Sequence, residues 1–179
     1  MSTSTFPIRN DFGLLAVQKV KAILLWHGII PTDIGQEMWM PQWVHEILRY
    51  VYNVPEIDML RHFPDLDVGT ALLQVKGAPN ESEYSEEEKV WICKYETVTI
   101  EIASYESSLR LHSYGIHILV PWLYSNKETI MAEWIENLEC IPPNCEREEA
   151  NGSHTPFYKV FKRNLKPLKT FIPYLKNGK

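Results

Sequence analysis

The chain has 179 residues, 45% of them hydrophobic and 23% charged, and its 23 acidic against 18 basic side chains leave a formal net charge of −5. That balance suits one folded domain with a core of its own and excludes wholesale disorder. Three cysteines make no even disulfide framework and fit a reducing compartment. The opening residues lack the basic-then-apolar layout of a secretory signal, so a protein that is not secreted is expected. The apolar stretches Ala22 to Trp26 and Ile116 to Tyr124 fall short of the ~20 residues a bilayer-spanning helix needs.

Residues 1–12 are polar and predict a flexible start. Val20, Ala22, Leu24 and Trp26 alternate with Lys19 and Lys21, a period of two that predicts a strand. Pro41 suits the first position of a helix, and Trp43, Val44, Ile47, Leu48 and Val51 recur at helical spacing behind it, with a short second helix expected from Glu56 to His62. Val68 to Val75 predicts a strand closed by Gly77-Ala-Pro-Asn. The glutamates that crowd residues 81–88 predict a hydrated, mobile loop.

Val90 to Ala103 carries the strongest strand pattern, with Val98, Ile100 and Ile102 on one face. Leu109 to Val120 is expected to pair with it, with Gly115 as a bulge. Ser125 and Glu128 have the spacing of a capping box, and Ile130, Met131, Trp134, Ile135 and Leu138 then predict a helix ended by Pro142-Pro143. Together these elements predict a single α+β domain over residues 13–150, an antiparallel sheet packed with two or three helices, followed by a separate segment, 151–179.

That last segment holds no acid but seven basic residues, and aromatic side chains are threaded among them. Lys159, Lys162, Arg163, Lys166 and Lys169, with Phe161, Phe171 and Tyr174, are therefore the candidate contacts to an anionic surface, whether lipid headgroups or nucleic-acid phosphates. The bland reading is a last strand docked on the acidic body.

Chemistry is hard to find by motif. There is no glycine-rich phosphate loop and no His-Glu-x-x-His helix, and no Ser-His-Asp or Cys-His spacing marks a nucleophile. Cys140, Cys145 and His154 lack the spacing and the fourth ligand of structural zinc, so no metal and no cofactor is expected. His112 and His117 fit one sheet surface and have ordinary structural roles, while Asp65 and Asp67 in their Pro-flanked loop read as turn formers. A non-enzymatic protein follows from this.

The order of elements, with Met38-Trp-Met-Pro41 ahead of the first helix, Val68 to Pro79 as the next strand and Tyr95-Glu-Thr-Val-Thr-Ile-Glu-Ile as the central strand, resembles the matrix proteins of rhabdoviruses, nearest to the plant-infecting cytoplasmic members. The resemblance implies a viral structural protein that self-associates, condenses the ribonucleoprotein and links it to the membrane envelope. Its partners would be further copies of itself, the viral nucleocapsid and an anionic membrane, and its location the host cytoplasm and the virion. The lysine-rich arm and Pro-Pro-x-Tyr motif of animal-infecting members are absent, so the basic C-terminal segment would supply the membrane contact. The alternative is a host-targeting adaptor acting through Pro41 to Leu60, a helical pair similar to an F-box.

Overall fold

A computed structural model describes residues 6–34, 62–141 and 157–178 of the chain. The expected helices after Pro41 and from Glu56 lie outside these residues, apart from His62 at the end of the second. The described residues form a single α+β domain built on mixed sheets.

Chain order begins with α1 (Phe6–Trp26), then β1 (Thr32–Asp33), β2 (Leu66–Asp67), β3 (Leu72–Leu73) and β4 (Lys76–Ala78). Next come β5 (Ser82–Ser85), β6 (Val90–Cys93), β7 (Thr97–Glu101), α2 (Ile102–Ser113), β8 (Ile118–Tyr124), β9 (Ile130–Trp134) and β10 (Cys140–Ile141). After the undescribed stretch come β11 (Phe157–Phe161), β12 (Lys166–Pro167) and α3 (Ile172–Asn177).

The main sheet has the order β1-β2-β3-β8-β9-β12, with β4 also on β8. β1 to β3 pair antiparallel, β3 and β4 both run parallel to β8, and β9 returns antiparallel. The sheet is thus mixed and not antiparallel as expected. The parallel pairing follows from a long excursion between β4 and β8, which includes α2 and gives the chain room to return in the same direction. β3 and β4 are two parts of one strand interrupted at Gln74 and Val75. Gln74 N–H still donates to the Leu119 carbonyl (3.0 Å), whereas Val75 N–H donates to the Asp65 carboxylate (2.7 Å).

The stretch predicted as a first strand is instead part of α1. Ala16, Val20 and Leu24 are fully buried at a spacing of four, one stripe of a helix, and the alternation with Lys19 and Lys21 is incidental to it. The stripe packs on Leu73, Val75, Leu119 and Leu123, with Phe171, Ile172 and Leu175 beside it. On the other sheet face Ala78, Ile118, Val120 and Trp122 form a second core with Val98, Ile100, Leu111 and Val160.

Three further expectations are corrected. Residues 109–113 close α2 and are not a strand: Gly115, at φ +84°, donates to His112 O (2.8 Å) while Ile116 donates to Leu111 O (3.4 Å), so this glycine ends a helix where a bulge was expected. The expected strand from Val90 to Ala103 is split, β6 pairing with β5 and β7 with β11 in different sheets, before α2 takes over. The expected capped helix is a turn followed by β9. Asn126 Oδ1 accepts from Glu128 N–H (3.0 Å) and Thr129 N–H (2.9 Å), and Ile130, Ala132 and Trp134 face the first core with the period of a strand.

Gly77 sits where α1 crosses β4. A Cβ built there would lie 2.7 Å from Phe12 Cδ1, closer than side chains pack, so Gly77→Ala must push the ring of Phe12 aside. A loss of about 1–3 kcal/mol is expected from such overpacking, read as a lower urea midpoint at an unchanged slope. An unchanged midpoint would mean that α1 does not press on β4 in solution.

Candidate functional site

The interruption between β3 and β4 gathers polar side chains. Residues 73, 75 and 77 point to the α1 side, which leaves Gln74 and Lys76 on the opposite face, below the start of α2. Asp65 precedes β2, and the antiparallel β2–β3 register sets it level with this gap: its backbone N–H donates to Leu73 O (2.9 Å). The hydrogen bond from Val75 N–H then holds the Asp65 carboxylate in place.

Gln74 is 4% exposed. Its amide is oriented by its neighbours, with Nε2 donating to the His62 carbonyl (3.2 Å) and Oε1 accepting from Lys76 Nζ (3.2 Å). Lys76 Nζ also donates to Ser104 Oγ (3.1 Å) and lies 4.0 Å from Glu101 Oε2. Ser104 Oγ in turn donates to Glu101 Oε2 (3.1 Å), and His62 Nδ1 lies 3.4 Å from Ser104 Oγ and 3.8 Å from Glu101 Oε2.

An ammonium held by an amide, a hydroxyl and a carboxylate thus shares this face with a second, fixed carboxylate, that of Asp65, which lies 3.5 Å from the Gln74 amide. Such a set can bind a phosphate with the ammonium and steer a water with a carboxylate. Among the described residues no three His, Cys, Asp or Glu side chains converge to hold a metal by themselves. One carboxylate and one amide oxygen are still the donor types that a hard divalent cation accepts when water and substrate phosphate complete its shell.

The residues predicted from the basic C-terminal segment lie elsewhere, and several are engaged with the body. Lys162 Nζ pairs with Glu81 Oε2 at 2.8 Å, Arg163 with Glu139 at 2.7 Å and Lys166 with the buried Glu133 at 3.5 Å. Lys159 belongs to β11, which is paired on both edges by β7 and β10. Phe171 is buried in the first core, Phe161 is half-buried under Arg163, and Lys169 and Tyr174 are exposed. Residues 157–178 are thus part of both sheets, with the Lys162 pair largely buried and the ammonium and guanidinium groups of Lys166 and Arg163 paired at the surface.

Glu81, assigned by sequence to a mobile loop, is 6% exposed. Its Oε1 accepts from Ser82 Oγ (2.7 Å) and Ser125 Oγ (3.0 Å). Burial pushes its carboxyl up, but the Lys162 ammonium and these hydroxyls outweigh that and hold it below the ordinary carboxylate range.

Sequence reading dismissed Asp65 as a turn former and passed over Gln74 and Lys76. The available signal was a Pro-Asp pair followed by a Gln-x-Lys run in a strand, with both polar side chains on one face of an otherwise apolar segment. Cys140 is half-buried next to Tyr105, whose hydroxyl is pushed up to about 12 chiefly by burial; Cys145 and His154 lie outside the described residues.

No family model matches this sequence, and no curated protein matches it. Among solved structures the fold is similar to Hjc, a Holliday junction resolvase from the archaeal hyperthermophile Archaeoglobus fulgidus, with a TM-score of 0.48 and 8% sequence identity over 90% of this chain and 95% of that one. The structure found beside this chain is a resolvase and not a rhabdovirus matrix protein, so the matrix reading with its virion role, the adaptor alternative and the expectation of a non-enzymatic protein are not borne out, while the likeness itself gives this chain neither a family nor an activity. At that similarity the comparison assigns no residue of this chain a role.

Proposed function

We propose that the chain is an enzyme acting on nucleic acid by hydrolysing phosphodiester bonds, with Asp65, Gln74 and Lys76 at its centre. The observation that carries this reading is the placing of the Lys76 ammonium and the Asp65 carboxylate on either side of the Gln74 amide, at a break in a strand of a mixed sheet.

Phosphodiester hydrolysis builds negative charge on the non-bridging oxygens, and a preoriented ammonium stabilises that charge more in the transition state than in the ground state. Lys76 is preoriented by Gln74 Oε1 and Ser104 Oγ. Asp65, fixed by the Val75 N–H, is set to orient a water. Asp65 and Gln74 would hold a divalent cation, which would polarise a phosphoryl oxygen and acidify a bound water. Glu101 and His62 act on Lys76 from behind, through Ser104.

The test is cleavage of labelled single-stranded, linear duplex and four-way-junction DNA by the purified chain, with and without Mg²⁺ or Mn²⁺. Lys76→Ala and Asp65→Asn should each lower the rate by about a hundredfold or more, the scale on which single charge-stabilising groups act. Asp65→Asn keeps an acceptor for Val75 N–H, so its circular dichroism and melting should stay close to those of the parent. Absence of cleavage under every condition, or full activity in both variants, rules the proposal out.

A further inference from the structure

β5 and β6 form a two-stranded sheet that pairs with no other strand among the described residues. Its register sets Tyr84 opposite Trp91, whose rings meet edge to face at 5.6 Å, and Ser85 opposite Val90. An isolated hairpin is marginal in water unless a third strand or a packed face supports it. Here all four residues of β6 are exposed, and Val90, Trp91 and Ile92 each keep 42% to 48% of their surface open.

The root of the hairpin is nevertheless tied down. Ser82 Oγ lies 2.6 Å from Ser125 Oγ, Lys94 N–H donates to Glu81 O (2.9 Å) and Lys162 Nζ donates to Cys93 Sγ (3.1 Å). A rooted strand thus presents an apolar edge that no strand among the described residues pairs. It lacks the usual protection of such edges, since Val90–Cys93 contains no charge and no proline.

We infer that the outer edge of β6 is where two copies of this chain pair, antiparallel across a two-fold axis, joining two hairpins into one four-stranded sheet. Charge favours a second copy over a basic or nucleic-acid partner. The strand itself is neutral, and the flanking Lys89 and Lys94 make only exposed ion pairs within their own copy, with Glu86 (3.0 Å) and Glu83 (3.3 Å), which exchange readily for others. Antiparallel pairing also sets the acidic turn of one hairpin, with Glu86, Glu87 and Glu88, beside the Lys94 end of the other. That turn disfavours a polyanion on the same edge. An identical strand satisfies the self-complementarity that a two-fold interface demands, and the shared sheet covers the ring of Trp91 near its centre, where aromatic anchors contribute most.

Sedimentation velocity of the full chain over a wide concentration range should show a reversible monomer–dimer equilibrium, with slower amide exchange across Val90–Cys93 in the dimer. Trp91→Lys should weaken dimerisation by roughly thirtyfold or more. Because that change also breaks the ring pair with Tyr84, Ile92→Lys serves as a second variant that leaves the pair intact and should weaken the dimer likewise. Ser85→Lys, on the other strand, should not. A chain that stays monomeric at every concentration, a dimer that survives both β6 variants, or a monomer that instead captures DNA through this hairpin overturns the inference.

Discussion

Lys162→Ala should destabilise the fold by about 3–5 kcal/mol, the loss expected when one partner of a buried ion pair is removed and the other stays behind. The side chains of Lys162 and Glu81 are 14% and 6% exposed, and Nζ and Oε2 are 2.8 Å apart. With the ammonium gone, Glu81 keeps the hydroxyls of Ser82 and Ser125 and the Ser125 N–H, all on Oε1, and must bury a carboxylate or take up a proton. The effect reaches far because Lys162, beyond β11, grips the start of β5 and the turn before β9, and its own N–H donates to Glu96 O (2.9 Å).

Lys162→Met combined with Glu81→Gln should recover most of the loss, since replacing both charges removes the stranded one. Urea unfolding of the two single variants and the double variant measures the coupling, and additive losses would deny it. pH gives an independent check. The Glu81 carboxyl is held below its ordinary value, so its contribution is complete above the ordinary carboxylate pKa and is lost as pH falls through the lowered one. The Lys162 ammonium is shifted up: burial opposes this, but Glu81 and Cys93 outweigh it. Its contribution is complete below the ordinary lysine pKa and is lost as pH rises through the raised one. Lys162→Ala should flatten both limbs.

Trp122→Ala should cost a similar amount, about 3–5 kcal/mol, by a different route. The ring is fully buried in the second core, among Val98, Ile100, Leu111, Ile135 and Val160, and its Nε1–H donates to Thr99 O (3.0 Å). That bond ties the main sheet to the β10-β11-β7 sheet. Trp122→Phe keeps most of the apolar contact and loses the donor, so about 1–2 kcal/mol is expected. If both variants unfold at the parent's urea midpoint, Trp122 does not hold the two sheets together.

How much of this was legible in the chain depended on how local each signal was. The alternation at Val98 and Ile100 marked β7 correctly, because both side chains are buried on one face while Thr99 is exposed. In α1 the same kind of alternation misled, since Ala16, Val20 and Leu24 satisfy a spacing of four within a window that also reads as period two. Before β9, Ser125 and Glu128 had capping-box spacing, yet the Ser125 hydroxyl went to Glu81, a residue far away in sequence. Lys162, Arg163 and Lys166 read as parts of a cationic arm because their partners, Glu81, Glu139 and Glu133, are likewise distant.

By itself the sequence determined the class of the protein: enough apolar residues for a core, both helical and strand periodicities, and therefore an α+β domain. Tertiary structure alone decided the site. Asp65 lies nine residues before Gln74 with a turn between them, and Glu101 and Ser104 come later still, beyond the hairpin. Only the antiparallel fold-back of β2 on β3, and the return of the chain through α2, bring these groups within hydrogen-bonding reach. A charge placed by sheet register carries no mark in its own neighbourhood of the sequence, because register is set by burial of apolar faces elsewhere in the chain.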